Sequence, residues 1–564
     1  MRRSEIDKLI LHGGPVRTLH ARGPVASAIG FAGGRVRGIG TLEQVRTAVP
    51  GGEERDLHGS VVYPGFIDAH HHLCFAATYG HLPEIRNPPY RSLAQILHRL
   101  GELAASTPDG EWIVLFGYDE ARLEEHRAPT RQELDRVAPA HPVLLIHFSY
   151  HQGVLNSLGL ARTGLDAPGV DPPGGWRGRR GGGELDGLVV ERCFGHAEGI
   201  VRRALALRDP ESWFARANAY QDRLLAAGIT HICDAAVPPE MESLYRAWQR
   251  RGELHVGVTM MPLIENIFAV PEARLMGKTT GWSEGRLSIG AMKLFMDGGT
   301  SCAICFSLRD AIVQLASMVG RLIRARTLLP LRLARTQSVR VGPDRRLHSG
   351  QLFYDAGGIE AMIGRASAAG FAIGVHAGGN EAIDLVLSAF ARSYRGALPP
   401  RVDHFFFADE AVIRRAAREG VHAVVQPPHI RDTGELLLQT GIPGGLSYHA
   451  YRELLDGGVP LAGSSDAPVS SFDVLTAIEV AVTRQLPDGR ALGPEQSLDA
   501  AEVLEMYTRG AAAVLGMERE IGTLAPGTRA DAVVLSADPA DLPPERLSEV
   551  GVLGTLAGKL FVEP

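Results

Sequence analysis

Lysine is almost missing from this chain of 564 residues: Lys8, Lys278, Lys293 and Lys559 stand against 54 arginines. Such a skew follows nucleotide composition more readily than function, so a lysine kept at a chemically telling place is informative. Cysteine is equally sparse. Five (Cys74, Cys193, Cys233, Cys302, Cys305), odd in number and scattered, exclude a disulfide framework and fit a reducing compartment. No stretch reaches eighteen uncharged apolar residues, which argues against a membrane span, and Met1 to Lys8 holds no apolar segment of the signal-peptide kind. These absences predict a cytoplasmic protein. Positive charge is not in excess either: the net charge of -6 leaves no electrostatic footprint for nucleic acid. What remains is ordinary for a globular enzyme, 45% apolar and 22% charged. The length implies one large domain with attachments, or two to three domains.

Short β-like runs separated by turns fill residues 6–62, among them Leu9–Leu11, Ala26–Phe31 and Val36–Ile39. The C-terminal residues, through Asp531–Leu535 to Leu560–Val562, read the same way. Neither segment can bury a core alone, so the two ends are expected to pair into one small β-domain, 1–62 with 516–564. Between them, apolar strands alternate with helical periods, the pattern of parallel α/β units. Strands are expected at 61–68, 229–235, 254–261, 289–296, 371–376, 402–407, 423–426 and 460–464. Eight such units predict an α/β fold, a distorted (β/α)8 barrel over 63–82 and 204–515, with its site at the C-terminal strand ends. Residues 83–203 break the rhythm with a helical stretch (93–104), apolar strands (112–116, 143–148) and a Gly-rich segment (172–183). They read as an insertion after the first strand, lying over the barrel mouth.

Polar residues then appear where the strands end. In 61–72, VVYPGFIDAHHH, side-chain alternation puts His70 and His72 on one face and His71 on the other. Two imidazoles so spaced can grip one metal ion. Lys293 follows in AMKLFMDGG, His376 in IGVHAGG, His404 in RVDHFFF and Asp466 in AGSSDAP. Singly, each has a dull explanation: a hydrogen-bonded core histidine, a helix cap, a solvated lysine. Five strand ends bringing three kinds of ligand to one rim point instead to a metal site.

These pieces, with WIVLFGYDE, PTRQELDRVAPAHPVLL, HQGVLNS, DPPGG, QPPH and GTLAPGTRADAVVL, resemble the amidohydrolase superfamily, and most of all its YtcJ-like branch, which includes N-substituted formamide deformylases. The resemblance runs from about residue 60 to 537. It implies a metal-bearing distorted barrel with a β-sandwich made from both termini. It implies that His70, His72 and Asp466 bind one divalent ion, that His376 and His404 bind a second, and that Lys293 bridges both as a carbamate (N6-carboxylated lysine). Only an amine that loses its proton reacts with carbon dioxide; a buried lysine can have the lowered pKa needed, and arginine cannot substitute. Two zinc ions are the expectation, with manganese or iron left open by ligand type. The alternative is a single ion on His70, His72, His376 and Asp466, with Lys293 as a structural cation.

The activity implied is hydrolysis of a small non-peptide amide, N-acyl or N-formyl. Metal-activated water attacks the carbonyl, a second ion or His404 holds the oxyanion, and Asp466 serves as general base and then acid. Alternatives are a mononuclear deaminase or heterocycle hydrolase of the same superfamily, against which Lys293 argues, and a metal-binding relic without turnover. His151, Tyr118, Gln426 and His429 match positions of the branch and are candidates to line the pocket, or equally to serve the core. Cys302 and Cys305 form a lone CxxC, read as two free thiols. Residues 311–329 have helical apolar spacing, and eight arginines with one acid crowd 321–346; this reads as a solvated face, or as a basic lid favouring an anionic substrate. A homodimer is a family expectation.

Overall fold

The computed structural model describes residues 2–564 except 21–25, 81–84, 86–89, 121, 264–277, 300, 311, 313–338, 343–344 and 443–444. Most of the expected helix at 311–329 and of the arginine-rich 321–346 therefore lies outside the described residues. The two chain ends do meet. Arg2–Glu5, Leu560–Glu563, Val552–Ala557, Asp531–Leu535, Val61–Pro64, Lys8–Val16, Ala26–Ala32 and Arg35–Gly40 follow one another in a sheet whose ninth strand, Glu53–Asp56, pairs with Lys8–Val16. Leu9, Leu11, Ile29, Phe31, Val534 and Phe561 share one buried cluster. Ile10 and Ala28, pointing the other way along the alternating strands, pack under the helix Leu42–Ala48 through Val45. Apolar residues on both faces thus cover both sides of one sheet.

The central region holds two parallel sheets. One runs Leu287–Ile289, Gly257–Pro262, Ile229–Val237, Phe66–His71, with Ser283–Glu284 on its edge; the other runs Met292–Phe295, Ile373–Ala377, Arg401–His404, His422–Val425, Leu461–Gly463. Two strands read as continuous from sequence are divided here, each at a glycine. Gly65 separates Val61–Pro64, in the terminal sheet, from Phe66–His71, in the parallel one. A Cβ on Gly65 would stand 2.3 Å from Thr230 Oγ1, so only glycine lets the backbones pass this closely. Likewise Gly290, where a Cβ would meet Thr259 Cγ2 at 2.6 Å, divides Leu287–Ile289 from Met292–Phe295, which pair in different sheets. Small and medium side chains from several of these strands (Ile67, Ala69, Cys233, Ala235, Val424, Ala462) form a common core. Outside it, Trp213 and Trp248 are fully buried with rings 6.1 Å apart, edge to face, so truncating either would cost about 3–5 kcal/mol.

Residues 113–191 build a five-stranded sheet of their own, in the order Gly175–Arg179, Leu185–Glu191, Gln152–Leu155, Val143–His147, Ile113–Tyr118. One face packs on the helix Leu93–Ser106 through Leu93, Ile96 and Leu100. Residues of the opposite face, such as Val114, Leu144 and Val189, join the main core. That docking carries residues 149–151 and 191–195 to the cavity described next. No described helix is long and apolar enough to cross a membrane.

Candidate metal centre

Strand alternation sets the first ligands. His70 and His72 turn toward Asp466, whereas His71 turns away to Asp68 (2.9 Å) and Tyr220 (3.1 Å). Asp466 Oδ1 lies 3.4 Å from His70 Nε2 and 3.0 Å from His72 Nε2, and its Oδ2 lies 3.5 Å from His429 Nε2. His70, His72, Lys293, His376, His404 and Asp466, which come from both parallel sheets, line one cavity. Two groups there have donor atoms within 4.8 Å of one another: His70, His72, Asp466 and His404, His429, Asp466. The backbone at the site is strained, as functional loops often are: His404 (φ 81°) and Asp466 (φ 60°) are non-glycine residues in the left-handed region.

The electrostatics fit a cation. Burial, reinforced by neighbouring His151 for His376 and by His376 for His404, holds both imidazoles well below their usual range. Burial likewise lowers His72, against the pull of Asp466. All three are thus neutral bases at physiological pH, the form that ligates. His376 Nε2 is buried without a hydrogen-bond partner among the described residues, a cost that an ion bound to it would relieve. Burial opposes the charge of Asp466, yet His70 and His72 hold its carboxyl well below the carboxylate range. Neutral imidazoles around an ionised carboxylate are a donor set for a divalent metal.

Three partners were not singled out from sequence. Asp403, two residues beyond Arg401 on the same strand, lies 2.5 Å from Lys293 Nζ, 3.2 Å from His70 Nδ1 and 2.6 Å from Arg401. Burial works against its charge, but Arg401, Lys293 and His70 keep it ionised. Burial conversely pulls the Lys293 amine below its usual range, with Asp403 opposing. Asp297 accepts three backbone N–H bonds, from Ala303, Gly378 and Gly379 (2.9–3.0 Å), and burial pushes its carboxyl up to about 7. Glu191, also on left-handed backbone (φ 50°), receives His151 Nδ1 at 2.8 Å.

The four remaining candidates part company. His151 lines the cavity, and His429 stands beside Asp466. Gln426 is instead bound to a candidate ligand: its Oε1 is 3.1 Å from His404 Nδ1, while its Nε2 donates to Ser464 Oγ and Val424 O. Tyr118 is buried at the end of the strand Ile113–Tyr118, its ring edge-on to His147 at 5.1 Å, and is not among the described cavity-lining residues. The five cysteines are free, and burial pushes Cys302 well above the usual thiol range.

The profile of the amidohydrolase family matches residues 53–560. Over its full length the chain is similar to an N-substituted formamide deformylase of Arthrobacter pascens, 28% identical with 98% of this chain and 97% of that protein covered. It is also similar to the putative amidohydrolase YtcJ of Bacillus subtilis (strain 168), 26% identical with 96% of each covered. Among solved structures, an uncharacterized metal-dependent hydrolase from Pyrococcus horikoshii OT3 shares the fold, with a TM-score of 0.71 and 23% identity over 95% of this chain and 99% of that one.

Proposed function

We propose that this chain, which belongs to the amidohydrolase family, is a metal-dependent hydrolase that cleaves the C–N bond of a small N-acyl or N-formyl amine. The likeness to a formamide deformylase supports the choice of bond. The carrying observation is Asp466, ionised within 3.0–3.5 Å of three imidazole nitrogens in a cavity that Lys293 also lines. We further infer that the two parallel sheets are halves of a distorted (β/α)8 barrel over 63–82 and 204–515. Their supports are the divided strand at Gly290 on one side and, on the other, Asp466 N–H donating to His70 O and His72 N–H to Ala467 O, both 2.8 Å. Residues 83–203 are then an insertion, and 1–62 with 516–564 a separate β-domain.

His70, His72, His376, His404 and Asp466 would hold the metal. A divalent ion there would supply an acidified water and a Lewis acid for the carbonyl. Asp466 Oδ1, kept ionised, takes a proton from the attacking water and returns it to the leaving nitrogen, which must be protonated to depart. Gln426 fixes the tautomer of His404: its amide donates to Ser464 and Val424, so its oxygen faces Nδ1, which carries the hydrogen and leaves Nε2 as a lone pair. That tautomer supports a ligand role for His404 over that of an oxyanion donor.

The second reading, a single ion with Lys293 as a cation, is favoured by one contact, Lys293 Nζ to Asp403 Oδ2 at 2.5 Å. Metal per chain, measured by plasma mass spectrometry on protein purified without chelators and with bicarbonate, separates the two. About two equivalents, falling in Lys293→Ala and partly restored by short carboxylic acids, supports the carbamate bridge. One equivalent supports the single ion. None after reconstitution ends the hydrolase reading. Asp466→Asn should lower turnover on an N-formyl and N-acyl amine panel by about a thousandfold.

A further inference from the structure

One histidine beside Asp466 has no part in the mechanism above. Gln426 follows the strand His422–Val425, and two residues with ring-fixed backbone, Pro427 and Pro428, lead straight into the helix His429–Thr440. Gln426 O accepts from the His429 N–H at 3.2 Å, and Pro427 O from the Ile430 N–H at 3.1 Å. A single tight turn therefore carries both the amide that holds His404 and the imidazole of His429. Ser470 Oγ donates to Asp432, tying this helix to the segment that follows Asp466. His429 is buried, and its ring lies parallel to that of His404, 6.4 Å away with 6° between the planes.

The spacings separate a hydrogen bond from a shared ion. An N–H···O bond spans about 2.7–3.2 Å, and His429 Nε2 stands 3.5 Å from Asp466 Oδ2. A tetrahedral ion with bonds of about 2.0–2.2 Å sets its ligand atoms about 3.3–3.6 Å apart. The 3.4 Å from His70 Nε2 to Oδ1 is of the same kind, with His72 Nε2 nearer at 3.0 Å. The two oxygens of one carboxylate thus face different imidazoles: Oδ1 meets His70 and His72, and Oδ2 meets His429. His404 belongs to the second donor group with His429 and Asp466, whereas His376, which the resemblance pairs with His404, falls in neither group.

We infer that His429 is a metal ligand, and that Asp466 is shared by two ions, one beside His70 and His72 and the other beside His404 and His429. The inference rests on the metal-dependent reading above and assigns the second ion of that site. It holds whichever state Lys293 takes, because the carboxylate itself spans both positions. Each carboxylate oxygen has two lone pairs, so Oδ1 keeps one for the proton that the mechanism moves.

The test is anomalous diffraction at the zinc edge from crystals of the zinc-loaded full chain, joined to equilibrium dialysis of zinc. Two ions are expected, one of them about 2.0–2.1 Å from His429 Nε2. In dialysis, His429→Gln should weaken one equivalent by at least about 100-fold, more than the loss of an outer hydrogen bond costs, and leave the other unchanged. His429→Cys, which offers a thiolate in place of the imidazole, should restore it in part. Three results overturn the inference and leave the hydrolase reading standing: one ion alone, on His70, His72 and Asp466; a second ion on His376 and His404 with His429 beyond bonding distance; or equal effects of His429→Gln on both equivalents, none included. No zinc in the wild type overturns both readings. Diffraction from the wild type needs no variant, so it decides even where His429→Gln fails to fold.

Discussion

A single amide side chain decides how His404 presents itself. Gln426 is fully buried and spends its three hydrogen bonds on His404, Ser464 and Val424. Replacing it with methionine keeps the volume but frees the imidazole to change tautomer and tilt. The expected outcome is a loss of metal affinity of about 10- to 100-fold, read by competition with a chromogenic chelator, with unchanged secondary structure. At this scale the sequence was informative wherever a polar residue ended an apolar strand. His70, His72, His376, His404 and Asp466 carry that signal, Lys293 interrupts its apolar strand instead, and all six line the cavity. Asp403 carries a weaker one, because an acid beside a histidine in RVDHFFF reads as one more alternating position. Its meaning comes from Lys293 and His70 converging on it from two other strands beside Arg401 of its own, and such convergence has no local signature.

At the scale of elements, the helix Arg131–Val137 is started by a capping box. Thr130 Oγ1 accepts from the Glu133 N–H, and Glu133 accepts from Thr130 N (2.8 Å) while pairing with Arg127 through both oxygens (2.7 and 2.8 Å). Arg127 first of all, with burial opposing, depresses the Glu133 carboxyl to about 2 from 4.5. A depressed carboxyl contributes stability above its unfolded pKa and loses it as pH falls through the folded value. Glu133→Gln keeps a cap but not the ion pair, so urea unfolding should show about 1 kcal/mol less stability at neutral pH. The gap should close as pH falls from 4.5 toward 2, and a gap that persists there would assign the loss to something other than charge. Element types were largely legible, because periodicity is local. The divisions at Gly65 and Gly290 were not. Each depends on a threonine, Thr230 or Thr259, that the glycine meets only once distant strands have paired.

For the whole molecule, the candidate ligands matter as a fastening. His70 belongs to one parallel sheet and His72 directly follows its strand, whereas His376 and His404 belong to the other. An ion gripping both would bind the folded state and not the unfolded one, so mass action adds its binding energy to stability. Dialysis against a chelator should lower the melting temperature by several degrees, and zinc should restore it. An unchanged transition would show that the sheets need no such tie.

The nine-stranded sheet has a consequence for birth as well as for shape. Arg2–Glu5 pairs residue by residue with Leu560–Glu563, and Val61–Pro64 with Asp531–Leu535. On the ribosome, the strands within residues 8–64 emerge early, but the strands that pair with Arg2–Glu5 and Val61–Pro64 arrive only after the central sheets have been made. Until then the nascent chain carries an open strand edge, the kind of surface that sticks to its neighbours. Co-translational folding of this sheet must therefore finish at the place where it began.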